Sequence, residues 1–280
     1  MITAPTSKIA ADKSLFVIGS LLTLSILAAF FIFNFVATNT QHDKEYINLS
    51  GEQRVLSQSI VKDAVEASSA NVEAFKQLKL TRNMFEQNLN YLRDGNPETG
   101  LPPAPESVTE QLDAVSKLWN EFGTNADTIL QAEGTIRMLS EFVGAVNETM
   151  PTLLAVSDEV VSIMIESGAN ASQVYVASRQ LMLIPRISVN ANKVLQGGQG
   201  AASAADRFGR DAALFGRVLD AMIKGNKKMN IRRVRDPDAR DKLAEVAELF
   251  ETVHDLVGRI LDQTPTLFEA QNASNNMVIK

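Results

Sequence analysis

The sequence predicts an all-α protein, one transmembrane helix followed by two tandem helical-bundle modules. Three observations carry that prediction. Residues 15–36 read LFVIGSLLTLSILAAFFIFNFV, an unbroken stretch without a charge. Beyond it, apolar residues recur at spacings of three and four, and no stretch alternates with period two for long enough to make a strand. A thin internal repeat relates the two halves. Phe85, Leu89 and Gly95-Asn96 share their spacing with Phe215, Leu219 and Gly225-Asn226 at an offset of 130, and Leu56 and Ile60 find Leu183 and Ile187 at an offset of 127.

The elements follow in order. Residues 1–14 carry Lys8 and Lys13, so the positive-inside rule keeps them in the cytoplasm and sends everything after the span outside. At 1.5 Å per residue, residues 15–36 extend about 33 Å, enough for a hydrocarbon core of roughly 30 Å. The run is too long for a signal-peptide core, which suits an uncleaved anchor. Residues 37–168 form the first periplasmic helical module. It is interrupted by Asp94-Gly95-Asn96-Pro97 and by the stiff run LPPAPES at 101–107. Ser107, with Glu110 three residues on, predicts a capped helix start. Its apolar stripe is Leu112, Val115, Trp119, Phe122, Ala126 and Ile129. Ser167-Gly168-Ala169-Asn170 ends this module, and residues 169–276 form the second. Gly197-Gly198-Gln199-Gly200 and Gly225-Asn226 mark turns within it. Asp236-Pro237 predicts an N-cap followed by a first helical proline. The stripe Leu243, Val246, Ala247, Phe250, Val253, Val257 and Ile260 continues from there. Pro151 and Pro185 sit inside helical patterns, where a kink or a helix start is expected.

Composition narrows the function. The 280 residues are 45% hydrophobic and 21% charged, ordinary values for a folded chain. Lys and Arg total 27 against 33 Asp and Glu, a formal charge of −6 that disfavours nucleic acid as a partner. The absence of cysteine removes disulfides, thiol catalysis, iron–sulfur clusters and thiolate zinc sites. The two histidines, His42 and His254, have no neighbours at metal-ligand spacing. No phosphate-binding glycine loop is present. No catalytic residue, metal or cofactor is expected, and the chain does not read as an enzyme. Asp206 and Asp211, like Glu245, Glu248 and Glu251, read as carboxylates on helix faces.

Residues 46–62 read YINLSGEQRVLSQSIVK. This segment resembles the start of the sensing region in the PilJ family of type IV pilus methyl-accepting chemoreceptors. HDKEYI at 42–47, LPPAPESV at 101–108, FGRDAALFGRVL at 208–219 and AELFETV at 247–253 extend the resemblance over nearly the whole chain. The resemblance implies a bacterial inner-membrane receptor with a periplasmic sensing region, coupled to twitching motility. It also implies a homodimer and a stimulus that is pilin or another pilus-associated protein. In that family a second membrane segment, a linker and a long signalling hairpin follow. Residues 277–280 are expected to begin that second segment. The Asn-x-x-Gly-x-x-Arg pattern also resembles the periplasmic motif of nitrate/nitrite sensor kinases, which implies the alternative of a small-anion sensor.

Asn48, Gly51 and Arg54 are the leading site candidates. At i, i+3 and i+6 on a helix, each lies about 60° round from the last, on one side. Gly51 lowers helix propensity, so its presence suggests close approach by another backbone or a ligand. The Arg54 guanidinium offers a planar fork of donors. Pairing within its own bundle, a place in a dimer interface and binding of a small anion are the three readings. Arg179, Arg186 and Lys193 are weaker possibilities in the second module. The basic run Lys224, Lys227, Lys228, Arg232, Arg233 and Arg235 follows a predicted helix stop. It reads as a solvated loop, or as a contact for an acidic protein or anionic lipid.

Overall fold

The structure is a computed structural model, and residues 6–278 are described. The side chains of most of residues 15–36 lie outside the described set, so the predicted membrane span rests on sequence. Among the described residues, no helix is long and apolar enough to cross a membrane.

The described chain is helical throughout, with only two isolated β-bridges. Helix α1 runs unbroken over Thr6–Ser68. Helix α2 is Val72–Asp94, and a 3-10 turn at Glu106–Val108 leads into α3, Thr109–Gln131. Helices α4, Glu133–Glu166, and α5, Ala171–Leu181, follow. The last three are α6, Leu183–Gln196, α7, Ala201–Lys224, and α8, Pro237–Val278.

Most stops lie where turn chemistry requires them. Asp236 caps α8 as its Oδ1 accepts from Ala239 N at 2.9 Å, and Pro237 is the first helical residue. Asn170 caps α5 by accepting from Ser172 N at 2.8 Å. Gly225 takes φ +88° just past α7. Four boundaries depart from expectation. The Ser107 cap is replaced by the 3-10 turn, and α3 begins at Thr109. Helices break at Ala132 and at Met182 without glycine or proline at the break. The turn after α1 uses Ala70 at φ +70°.

The chain divides into two compact units. The first comprises Met1–Val55 with Phe85–Ser116. One buried cluster in it is Leu49, Leu92 and Leu101, flanked by partly buried Tyr46, Tyr91 and Leu112, and Phe85 and Leu89 are buried as well. The second comprises Leu56–Met84 with Lys117–Lys280. Within it α4 packs on α5, α6 and α8, and α7 packs on α6 and α8. Phe208, Phe215, Ile136, Leu139, Leu153, Ile184 and Ile187 are fully enclosed there. Phe215 stacks obliquely on Phe250, centroids 4.6 Å apart, a geometry that adds to simple burial. Along α8 the predicted stripe is buried from Leu243 to Ile260, with Ala247 half-buried. Pro151 and Pro265 lie inside α4 and α8, which continue through them, and Pro185 lies in the first turn of α6.

The repeat recurs in hydrogen bonds. Gln53 Nε2 donates to Phe85 O at 3.0 Å, and Gln180 Nε2 donates to Phe215 O at 3.0 Å. Tyr46 Oη donates to Pro102 O at 2.8 Å, and Gln173 Nε2 donates to Arg232 O at 2.7 Å. Asn96 N donates to Leu101 O at 2.8 Å and Asn226 N to Ile231 O at 2.7 Å, each closing a small bridge. Ala104 N then reaches Leu92 O at 3.0 Å, and Val234 N reaches Met222 O at 2.9 Å. Each pair is related by the offsets 127 and 130 read from the sequence.

Candidate functional site

In the first unit, α1 and α3 flank a groove floored by α2. Asp43, Tyr46, Ile47, Ser50 and Gln53 form one wall. Ala104, Pro105, Val108, Gln111, Leu112 and Val115 form the other, and Leu89 and Leu92 the floor. The cavity measures about 720 Å³ and is lined mainly by apolar surface, within the range of roughly 300–1,000 Å³ typical of binding sites. Its polar groups are fixed from below. The Tyr46 hydroxyl is anchored on Pro102 O and Pro103 O, and Gln53 on Phe85 O. Burial, with the Asp43 and Glu45 carboxylates nearby, pushes the Tyr46 phenol upward, so it stays a neutral donor. Ile47, Val108 and Val115 around the groove remain exposed.

The Asn48–Gly51–Arg54 face lies beside this groove on α1. Asn48 Nδ2 donates to Glu52 Oε1 at 3.1 Å, and Asn88 Nδ2 of α2 donates to Glu52 Oε2 at 2.9 Å. Asn48 therefore serves to orient Glu52 along its own helix. A Cβ at Gly51 would meet nothing within 4 Å, so no neighbour among the described residues requires the glycine. Arg54 is exposed, which excludes a buried, fully desolvated ion pair as its role. Ile47, Gly51 and Val55, at i, i+4 and i+8, make an outward strip with two exposed apolar side chains.

The other candidates resolve differently. The 224–235 stretch is an ordered turn rather than a frayed end. Asn226 Oδ1 accepts from Lys228 N at 3.0 Å and Met229 N at 3.1 Å, while Ile231 and Val234 are buried. Lys227, Lys228, Arg232, Arg233 and Arg235 are exposed, and Lys224 pairs with Asp220 at 2.6 Å. Arg186 donates to Asp211 Oδ1 at 2.9 Å; Asp211 is buried, not on a solvated face. Arg179 lies over the Tyr175 ring at 5.7 Å. Lys193 lies against Gly200, its Nζ 3.6 Å from where a Cβ would stand. Glu245 shares Lys242 with Glu159.

The groove was not legible as a site in the sequence, because its walls come from segments some 60 residues apart. The available signal was the stripe Leu112–Val115–Trp119. Trp119 is buried in the second unit, whereas Leu112 is half-buried and Val115 exposed in the first.

Among the described residues the chain is a bundle of long helices with an apolar groove in its first unit. Residues 35–142 match the family described as the type IV pili methyl-accepting chemotaxis transducer N-terminal region. The chain is 46% identical to protein PilJ of Pseudomonas aeruginosa over 256 residues, 91% of this chain and 38% of that protein. It is 39% identical over 257 residues to the putative methyl-accepting chemotaxis protein AlkN of Alcanivorax borkumensis, covering 91% of this chain and 37% of that protein. The chain is thus similar to PilJ over nine tenths of its own length, and its residues 35–142 to the N-terminal region of that transducer family. It spans less than two fifths of the length of these curated relatives.

Proposed function

We propose that this chain is the sensing region of a receptor that couples an extracytoplasmic stimulus to type IV pilus motility. Residues 15–36 anchor it in the bacterial inner membrane, and residues 38–276 stand in the periplasm as two tandem modules. The stimulus is a pilus component, and the signal passes as a small displacement of packed helices toward the membrane. The single observation that carries this reading is the continuity of α1 over Thr6–Ser68. At 1.5 Å per residue it is about 95 Å long. Such a helix carries an axial or rotational shift from the bundle into the predicted anchor without an intervening hinge.

Two copies act together along the outward strip of α1. Ile47, Gly51 and Val55 supply two apolar contacts and one open position where a second backbone can approach. Arg54 lies at the edge of that strip. The chain lacks cysteine, so single introduced thiols report without background. In membranes, Gly51→Cys and Val55→Cys should each form disulfide-linked dimers under mild oxidation. Glu73→Cys, exposed on α2, should not. Equal yields at all three positions would remove α1 as the interface.

A further inference from the structure

A cleft between α6 and α7 of the second unit gathers arginines that the fold leaves without a carboxylate. Arg186 of α6 and Arg207, Arg210 and Arg217 of α7 line it, around a volume of about 580 Å³. Asp211 engages only the first of them. Its Oδ1 accepts from Arg186 at 2.9 Å, and its buried Oδ2 has no donor. Arg207 is held by uncharged groups, donating to Ser203 Oγ at 2.8 Å and to Asn190 Oδ1 at 3.4 Å. Asp220, close to Arg217 on α7, is taken by Lys224. Among the described residues no carboxylate pairs with Arg207, Arg210 or Arg217. At the offsets 127 and 130 the first repeat has Ser59, Gln77, Leu80 and Gln87 in place of the four arginines, so the shared helix packing does not require them. In a chain of formal charge −6, three unneutralised arginines on one cleft mark a place built for an anion.

We propose that this cleft binds a linear dicarboxylate, a small molecule with a carboxylate at each end and hydrocarbon between. Arg207 and Arg210 stand about one turn apart at one end of the cleft. Arg217 stands at the other, two turns past Arg210 on nearly the same side of α7 and so about 10 Å along the helix. Between the two ends the α7 lining is Ala213 and Leu214, which offer no side-chain donor to the middle of a ligand. Leu214 is exposed, so a methylene chain laid on it removes apolar surface from water. Each guanidinium presents a planar fork that matches a carboxylate. The volume falls within the roughly 300–1,000 Å³ typical of small-molecule sites. An anion the size of sulfate would engage one end alone, and a fatty acid would leave the charge at the other end unmatched. This site is separate from Arg54 and from the pilus stimulus proposed above, and it does not depend on the membrane topology.

The test is isothermal titration calorimetry of the full chain in phosphatidylcholine nanodiscs, with heats from empty nanodiscs subtracted. The probes are suberate, octanoate and sulfate. Suberate is expected to bind saturably and one to one. It should bind at least tenfold tighter than sulfate or than octanoate, which has the same chain with one carboxylate. Arg210→Gln and Arg217→Gln, both exposed positions, should each weaken suberate at least tenfold, to the level of octanoate. Arg233→Gln removes the same charge from the 224–235 turn and should leave binding unchanged. Leu214→Glu places a carboxylate between the two ends, where it should compete for the arginines and abolish binding with an unchanged circular dichroism spectrum. No saturable heat with suberate would overturn the proposal. So would octanoate or sulfate binding as tightly as suberate. An equal loss in Arg233→Gln and Arg217→Gln would overturn it too, since net charge alone would then set the affinity.

Discussion

Leu112 and Leu243 occupy equivalent positions in the two repeats, as do Val115 and Val246, at an offset of 131 that adds one residue to the 130 of the preceding segment, yet their surroundings differ. Leu243 is 1% exposed and Val246 2% exposed, enclosed by α4, α5 and α7. Leu243→Ala removes side-chain atoms from a site with almost no free space. The lost transfer energy and the cavity it leaves together cost about 2–5 kcal/mol. Leu112 is half-buried and already borders the open groove. Its truncation enlarges an existing opening rather than creating a cavity, so only part of the transfer term remains, about 1 kcal/mol. Val115 is 37% exposed, and Val115→Ala should fall within about 0.5 kcal/mol of wild type. Val246→Ala should cost about 1–2.5 kcal/mol. Chemical denaturation of the four variants, followed by far-ultraviolet circular dichroism, gives the ordering directly. Equal losses for Leu112→Ala and Leu243→Ala would mean that the first groove is filled in the isolated chain, and would refute the reasoning.

Further outcomes are expected elsewhere. Gly95 and Gly225 share φ +88°, but a Cβ at Gly95 would lie 2.6 Å from Leu101 O, whereas one at Gly225 would be 3.4 Å from its nearest neighbour, Arg233 N. Gly225→Ala should cost about 1–2 kcal/mol for the left-handed backbone. Gly95→Ala should cost clearly more in the same melts, and equal costs would contradict the geometry. Arg186→Ala leaves the buried Asp211 carboxylate without its donor, at about 1–3 kcal/mol, and adding Asp211→Asn should recover part of that loss. A neutral Arg186→Ala would mean that the pair contributes nothing. Burial raises the Asp63 carboxyl above its ordinary value, only partly opposed by the Thr81 hydroxyl. Folding thus disfavours the charged form relative to the unfolded chain. Stability from this group is full below the unfolded pKa and is lost as pH rises through the raised folded pKa. Asp63→Asn should therefore be at least as stable as wild type at pH 7, with the advantage shrinking as pH falls toward 4. An advantage that grows on acidification would reverse the sign.

Several elements were readable because a local chemical rule decided them. Asp236-Pro237 fixed the start of α8, Gly225 the end of α7, and the 3–4 spacing from Leu243 to Ile260 its buried side. The stop at Ala132 and the break at Met182 carry no such rule. Ala132 and Leu183 are buried, so packing sets those joints rather than local propensity. Ser107 failed as a cap because Pro103 and Pro105 lead instead into a 3-10 turn, which moves the helix start to Thr109. For the site, Asn48, Gly51 and Arg54 do share the outer side of α1, as the spacing implies. What a single sequence could not reveal was the difference between Val115 and Val246. Both are apolar positions on a helical stripe, but among the described residues α4 lies against Val246 whereas Val115 borders the open groove.

We propose that a membrane anchor at residues 15–36 holds a sensing region outside the cytoplasm. Reporter fusions test it most directly. An enzyme that is active only after export, fused after Gly100 and after Lys228 in the full chain, should be active at both positions. A reporter active only in the cytoplasm should be silent at the same two sites. The reverse pattern would place both modules inside the cell and contradict the receptor orientation.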